Sequence, residues 1–228
     1  ELARKLLEKS REDLGQMPEA ITMVVYSGET MKTNGDTIAE ILALYGIRPC
    51  WLKGTDRVIG LERIPLSQLG RPRIDVTLRA SGLFRDNFPN LIELLEEAVH
   101  LAGAAEEREA DNFVRSHMIR DVRKYVAEGI AHTEAVRRAS ARIFSCPPGQ
   151  YGAGVGALVE SGKWEERKDL GEAYLAWSGF AYGKEIRGEA WQGVLADRLK
   201  DSQILVKNLP SVEEDLLDSD DFYNYYGG

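Results

Sequence analysis

The positions from Ile74 to Ala102 change period once. Ile74, Val76 and Leu78 alternate with Asp75, Thr77 and Arg79, the period of two that predicts a strand. Ser81-Gly82 interrupts it. Phe84, Phe88, Leu91, Leu95, Ala98 and Ala102 then recur at threes and fours, which predicts one long amphipathic helix. Ahead of this unit, residues 1–14 carry Leu2, Leu6, Leu7 and Leu14 on one helical side and stop at Gly15 to Pro18. ITMVVYS, 21–27, is an almost unbroken apolar run, the pattern of a strand covered on both faces. Asp36 or Thr37 is placed to cap a helix carrying Ile38, Ile41, Leu42 and Tyr45, with Gly46 to end it. Arg48 to Lys53 and Val58 to Ile64 read as two further strands.

After a shift of composition at GAAEEREA, 103–110, the periods become helical. Asp111 or Asn112 caps a helix with Val114, Met118, Val122 and Tyr125 inward. Thr133 opens another, with Val136, Ala139 and Ile143 inward, Arg137, Arg138 and Arg142 outward, and Pro147-Pro148-Gly149 as its stop. Helices near 151–161, 168–178 and 188–199 and a strand at Gln203 to Lys207 complete the reading, which contains no internal repeat. The expected architecture is α/β: a Rossmann-like open sheet in residues 1–103, with the strands at 21 and 74 parallel neighbours, then a mainly helical region, 104–228, packed on it.

Composition narrows the function classes. The 228 residues carry a net charge of −8, which argues against nucleic acid as a partner, although Arg71, Arg73, Arg79 and Arg85 cluster within fifteen residues. No apolar run approaches the roughly 20 residues that span a bilayer. Cys50 and Cys146 are the only cysteines, so a disulfide framework is not expected and a cytoplasmic setting is.

Candidate chemistry gathers at a few places. The carboxyl end of the Ile74–Arg79 strand, with Arg79, Ser81, Arg85 and Asp86, is where open α/β sheets bind ligands. Arg85 faces the positive end of its own helix, which calls for an anion, a substrate carboxylate or an internal partner such as Asp86. His117, in NFVRSH with Arg115, is the candidate base or transient metal ligand; the alternative is a histidine bonded to a neighbouring backbone carbonyl. Tyr151 sits in a glycine-rich turn, Gly149 to Gly156, that lacks the Lys-Ser/Thr ending of a phosphate loop. It suits close backbone packing or a wall for a flat ligand. Asp218 and Asp220 lie in an acidic stretch able to hold hard cations weakly, or simply to be solvated.

The wording of several blocks is more specific than their period. RPRIDVTLRASGLFRDNFPNLIELLEEAV (71–99), MKTNGDTIAEILALYGIRP (31–49), NFVRSH (112–117), ARIFSCPPGQYGAGVGALVESGKW (141–164), YLAWSGFAYG (174–183) and DLLDSDDFYNYYGG (215–228) run in one order. Together they resemble the large subunit of the ATP-dependent metal chelatases, the family of the cobaltochelatase and magnesium chelatase large subunits. The last block and PPGQYGAG look closer to the cobalt branch. The resemblance implies insertion of a divalent metal substrate into a tetrapyrrole: Co2+ into hydrogenobyrinic acid a,c-diamide in cobalamin biosynthesis, or Mg2+ into protoporphyrin IX. It further implies ATP hydrolysed on separate AAA+ partner subunits with an adaptor, in agreement with the missing phosphate loop. Family members are several times longer, so the chain is expected to be a carboxyl-terminal-region piece, inactive by itself. On this reading His117 is the catalytic base and a metal contact, Arg79, Arg85, Arg115 and Tyr151 bind substrate, and Asp218 and Asp220 touch the metal weakly. Two other classes stay open: a non-catalytic docking piece for the AAA+ partners, and a flavodoxin-like ligand-binding domain.

Overall fold

The computed structural model describes residues 1–210. Its elements in chain order are α1 (Leu2–Leu14), β1 (Ala20–Val25), α2 (Ser27–Thr33), α3 (Asp36–Tyr45), β2 (Ile47–Trp51), β3 (Val58–Arg63), α4 (Leu66–Leu69), β4 (Asp75–Ala80), α5 (Gly82–Asn87), α6 (Pro89–Gly103), α7 (Phe113–Ala127), α8 (His132–Ser140), β5 (Ile143–Ser145), α9 (Gly156–Ser161), α10 (Arg167–Ser178), β6 (Phe180–Tyr182), β7 (Arg187–Ala190), α11 (Gln192–Asp201) and β8 (Ile204–Lys207). A six-stranded, mostly parallel sheet runs β7-β6-β5-β4-β1-β8. The pairing expected at its centre is present: β1 and β4 are parallel, from Ala20 opposite Asp75 to Val25 opposite Ala80.

Both central strands are buried along their whole length. Burial on both faces is the usual state of a parallel sheet covered by helices. For β4 it means that Asp75, Thr77 and Arg79 are not a solvent face, whatever their alternation suggests. Met23, Val25, Val76 and Leu78 join Leu7 of α1, Ile41 and Tyr45 of α3 and Leu95 and Val99 of α6 in the main core. A second cluster packs Phe144 and Ala181 against Ala135, Ala139, Trp191 and Leu195. The Tyr45 hydroxyl donates to the Val76 carbonyl at 2.5 Å and ties α3 to the sheet.

Several local expectations are corrected. The stripe from Phe84 to Ala102 belongs to two helices, because Pro89 has no N–H to continue α5 and opens α6 instead. The strands at 47–51 and 58–63 pair with each other in a separate antiparallel sheet. The cap of α3 is Gly35 rather than Asp36 or Thr37. The helix from His132 ends at Ser140, so Ile143 lies in β5 and Arg142 is buried rather than outward. The short hairpin β6–β7, which the periods do not predict, adds two antiparallel strands at the sheet edge. Strands β5 to β8 all come from beyond residue 103, so one sheet is built from both sides of the compositional shift.

Candidate functional site

Three loops leave the carboxyl ends of neighbouring parallel strands and meet. Residues 26–28 follow β1, 81–83 follow β4, and 146–154 follow β5. The Ser81 N–H donates to the Val25 carbonyl at 2.8 Å, and the Ser81 hydroxyl accepts from the Phe84 N–H at 3.1 Å, which starts α5 as an N-cap. Asn87 donates to the Ser27 hydroxyl at 2.8 Å and fixes α5 to α2. Tyr26, Ser27, Gly28, Ser81, Gly82, Leu83, Tyr151 and Gly152 line a cavity of about 230 Å³ there.

The approach of the third loop depends on glycine. A Cβ on Gly82 would stand 2.6 Å from the Tyr151 ring and 2.7 Å from the Gln150 carbonyl oxygen, so only hydrogen lets loop and helix touch. Gly154 has φ +78 and faces Trp177, whose Cβ a side chain would meet at 2.4 Å.

Arg85 holds the loop in place. Its guanidinium donates to both Asp86 carboxylate oxygens, at 2.7 and 3.0 Å, and to the carbonyls of Cys146, Pro147 and Gln150, at 3.0, 2.9 and 3.3 Å. These five bonds take all the N–H groups an arginine has. The direct grip on a substrate carboxylate that the sequence suggests therefore has no donor left to make it. The group also lies 5.8 Å from the centre of the Tyr151 ring and 5.6 Å from that of Tyr182. Arg79 is spent similarly: it is buried and donates to the Ser178 hydroxyl (3.1 Å), the Gly152 carbonyl (2.9 Å) and the Ala80 carbonyl.

Tyr151 is the predicted site residue that faces outward, 52% exposed. Its hydroxyl donates to Asp86 at 2.9 Å. The Arg85 hydrogen bond holds the Asp86 carboxyl below its ordinary range against a smaller push from burial, and the Tyr151 bond adds to it. The Tyr151 hydroxyl is correspondingly pushed up by its bond to that carboxylate. Arg79, Arg85 and Tyr151 are thus brought together.

His117 and Arg115 are at the other end of β4. His117 is buried, with Nδ1 2.9 Å from an Asp75 oxygen and Nε2 3.8 Å from Glu19. An ionised Asp75 can only accept, so Nδ1 carries the proton of that bond. Asp75 also takes two bonds from Arg142, at 2.6 and 3.0 Å, and lies 3.5 Å from Arg198. Burial alone would raise the Asp75 carboxyl; Arg142, the His117 bond and Arg198 outweigh it and hold it well below the usual carboxylate range. Arg198 pairs in turn with Asp121, itself paired with Arg120. Arg115 donates to the Gly103 carbonyl at 3.3 Å. Asp75 to Ser81 is six residues, about 20 Å of strand, so the two groups are well separated.

Sequence reasoning missed Asp75, Arg142, Asp121 and Arg198. The available signal is an acid at the head of a strand whose expected parallel pairing already implies burial on both faces. Asp218 and Asp220 lie outside the described residues. Among the described residues no group of three or more His, Cys, Asp or Glu side chains is placed to hold a metal.

The CobN/Magnesium Chelatase family model matches residues 1–228. The chain belongs to that family. It is 44% identical over 226 residues to the aerobic cobaltochelatase subunit CobN of a Sinorhizobium species, covering 99% of this chain and 18% of that protein. It is 37% identical over 214 residues to a magnesium-chelatase subunit of Cereibacter sphaeroides, covering 93% and 17%. The solved catalytic subunit of cobaltochelatase from Mycobacterium tuberculosis superposes with a TM-score of 0.91 at 40% identity, over 99% of this chain and 19% of that one. The chain thus spans less than a fifth of the length of these chelatase relatives. No helix among the described residues is long and apolar enough to cross a membrane.

Proposed function

We propose that this chain is the part of a cobaltochelatase large subunit that receives one edge of a tetrapyrrole at the three-loop end of the sheet. In this reading the whole subunit inserts Co2+ into hydrogenobyrinic acid a,c-diamide in cobalamin biosynthesis. ATP is hydrolysed in the cytoplasm by AAA+ partner subunits working through an adaptor. The observation that carries the reading is the meeting of the β1, β4 and β5 loops around Gly82, with an exposed Tyr151 ring beside them.

Metal insertion asks for a held and bent macrocycle, removal of its pyrrole protons, and an ion delivered from weak ligands. The residues here serve the first demand. Tyr151 offers an aromatic face for a flat ring, and its hydroxyl is pinned by Asp86. Arg85 and Arg79 act through the loop they tie down, which fixes where that ring stands. The Asp86 carboxylate, lowered by Arg85, is a poor proton acceptor.

His117 and Arg115, about 20 Å away along β4, do not reach a ring seated at the loops. We assign His117 to the ion network around Asp75 and place the proton acceptor elsewhere in the large subunit. Asp218 and Asp220 keep the weak contact to the metal substrate suggested by their sequence. The likeness to the magnesium-chelatase relative favours one second reading, Mg2+ and protoporphyrin IX.

An absorbance titration of the 228-residue chain with both tetrapyrroles tests this. Saturable binding of hydrogenobyrinic acid a,c-diamide alone is expected. Preference for protoporphyrin IX moves the assignment to magnesium. Binding of neither by a folded chain overturns the substrate role and leaves a docking piece for the AAA+ partners.

A further inference from the structure

We propose that Glu29 and Glu40 form a binding site for a hard divalent cation between α2, α3 and the end of β8. Glu29 is 1% exposed and Glu40 5%. One Glu29 oxygen accepts from the Thr33 hydroxyl at 3.0 Å and from the Thr37 backbone N–H at 3.3 Å. Its other oxygen, Oε2, is buried with no hydrogen-bond partner among the described residues. Glu40 accepts from the Asn208 amide at 2.6 Å, and the same amide donates to the Thr37 hydroxyl at 2.9 Å. Glu29 thus bonds the Thr37 backbone, and the Asn208 amide bridges the Thr37 hydroxyl to Glu40.

Neither carboxylate has a Lys, Arg or His partner among the described residues, in contrast to Asp75, which has two arginines and a histidine. Buried negative charge without a counter-charge is costly, and it is relieved by a proton or by a cation. Burial pushes the Glu40 carboxyl up, the Asn208 hydrogen bond works against that push, and the charge of Glu29 adds to it. The donors are all oxygen and two are anionic, a set that suits Mg2+, Mn2+ or Co2+ rather than a soft ion. Two carboxylates and the Thr37 hydroxyl leave positions for water. Such a site exchanges its ion readily, whereas a closed four-ligand site would trap it.

In the chelatase reading this is a holding place for the metal substrate. That destination rests on the reading; the presence of the ion does not. The test is a titration of the 228-residue chain with Mn2+, followed by electron paramagnetic resonance at neutral pH, and repeated with Co2+ by visible absorption. One saturable equivalent is expected. E29Q and E40Q should each weaken it about tenfold or more while circular dichroism stays that of the parent. E12Q, on the exposed side of α1, should bind as the parent does. No saturable ion, or an ion held equally by E29Q and E40Q, overturns the proposal; a carboxylic-acid infrared band that E40Q removes, in a chain that takes up no Mn2+, would identify a proton in its place. The tetrapyrrole titration does not depend on any of these outcomes, so the two readings fail separately.

Discussion

The two ends of β4 are built from similar side chains toward different ends. At the amino end, Asp75, His117, Arg142 and Arg198 are all buried, and each charge is answered by another. At the carboxyl end, Arg79 and Arg85 are also buried, but half of their bonds go to backbone carbonyls of one loop. A guanidinium spent on a carboxylate closes a core. One spent on a loop's carbonyls sets the shape of that loop and leaves its aromatic residue, Tyr151, turned toward solvent. The same residue type holds the fold in one place and shapes a surface in the other.

The largest effect that would sharpen the contrast is at Asp75. D75A leaves Arg142 buried without its partner and should cost about 3–5 kcal/mol in urea unfolding. Because the folded Asp75 carboxyl lies below its unfolded value of 3.8, its contribution is present above that pH and is lost as the pH falls through the folded value. The urea midpoint should therefore fall below about pH 4 in the parent and lose that part of its slope in D75N. Next, H117A removes one of the bonds to Asp75 and should cost about 1–3 kcal/mol, with tetrapyrrole affinity kept. At the other end, G82A should displace residues 150–151 and weaken tetrapyrrole binding more than tenfold, at a stability cost of about 1–3 kcal/mol. The smallest effect is Y151F: about a fivefold loss of affinity and no change in midpoint, because the bond to Asp86 is at the surface. A large stability loss in Y151F, or a large affinity loss in H117A, would erase the distinction.

Much of the central fold is legible in the sequence. The run ITMVVYS, the β1–β4 pairing, and α1, α3 and α7 rest on local periods with clear stops, such as Gly46 after α3 and the Asn112 cap of α7. The carboxyl end of β4 is legible as a location because strand ends in open sheets are where loops gather. Of what Arg79 and Arg85 do there, only the Arg85 pair with Asp86 is legible. Their partners in the 146–152 loop are carbonyls of residues sixty or more positions away, and backbone atoms leave no trace in residue identity. Arg142 escapes the periodic reading because counting by threes and fours runs past Ser140, where the helix ends. Glu29 and Glu40 look like the polar face of helices that the fold happens to cover. The hairpin β6–β7 has strands of three and four residues, too short to carry a period.

The most direct test is one side-by-side titration with hydrogenobyrinic acid a,c-diamide of full-length large subunits carrying Tyr151→Ala or His117→Ala. Urea unfolding of the matching 228-residue chains provides the stability half. A substrate site at the loops and a charge scaffold at the amino end require Tyr151→Ala to bind at least about tenfold more weakly with an unchanged midpoint. His117→Ala should unfold earlier and bind as the parent does. The reverse pattern would contradict it: normal binding with Tyr151→Ala, and a specific loss of binding at parental stability with His117→Ala. That result would move the substrate to the amino end of β4.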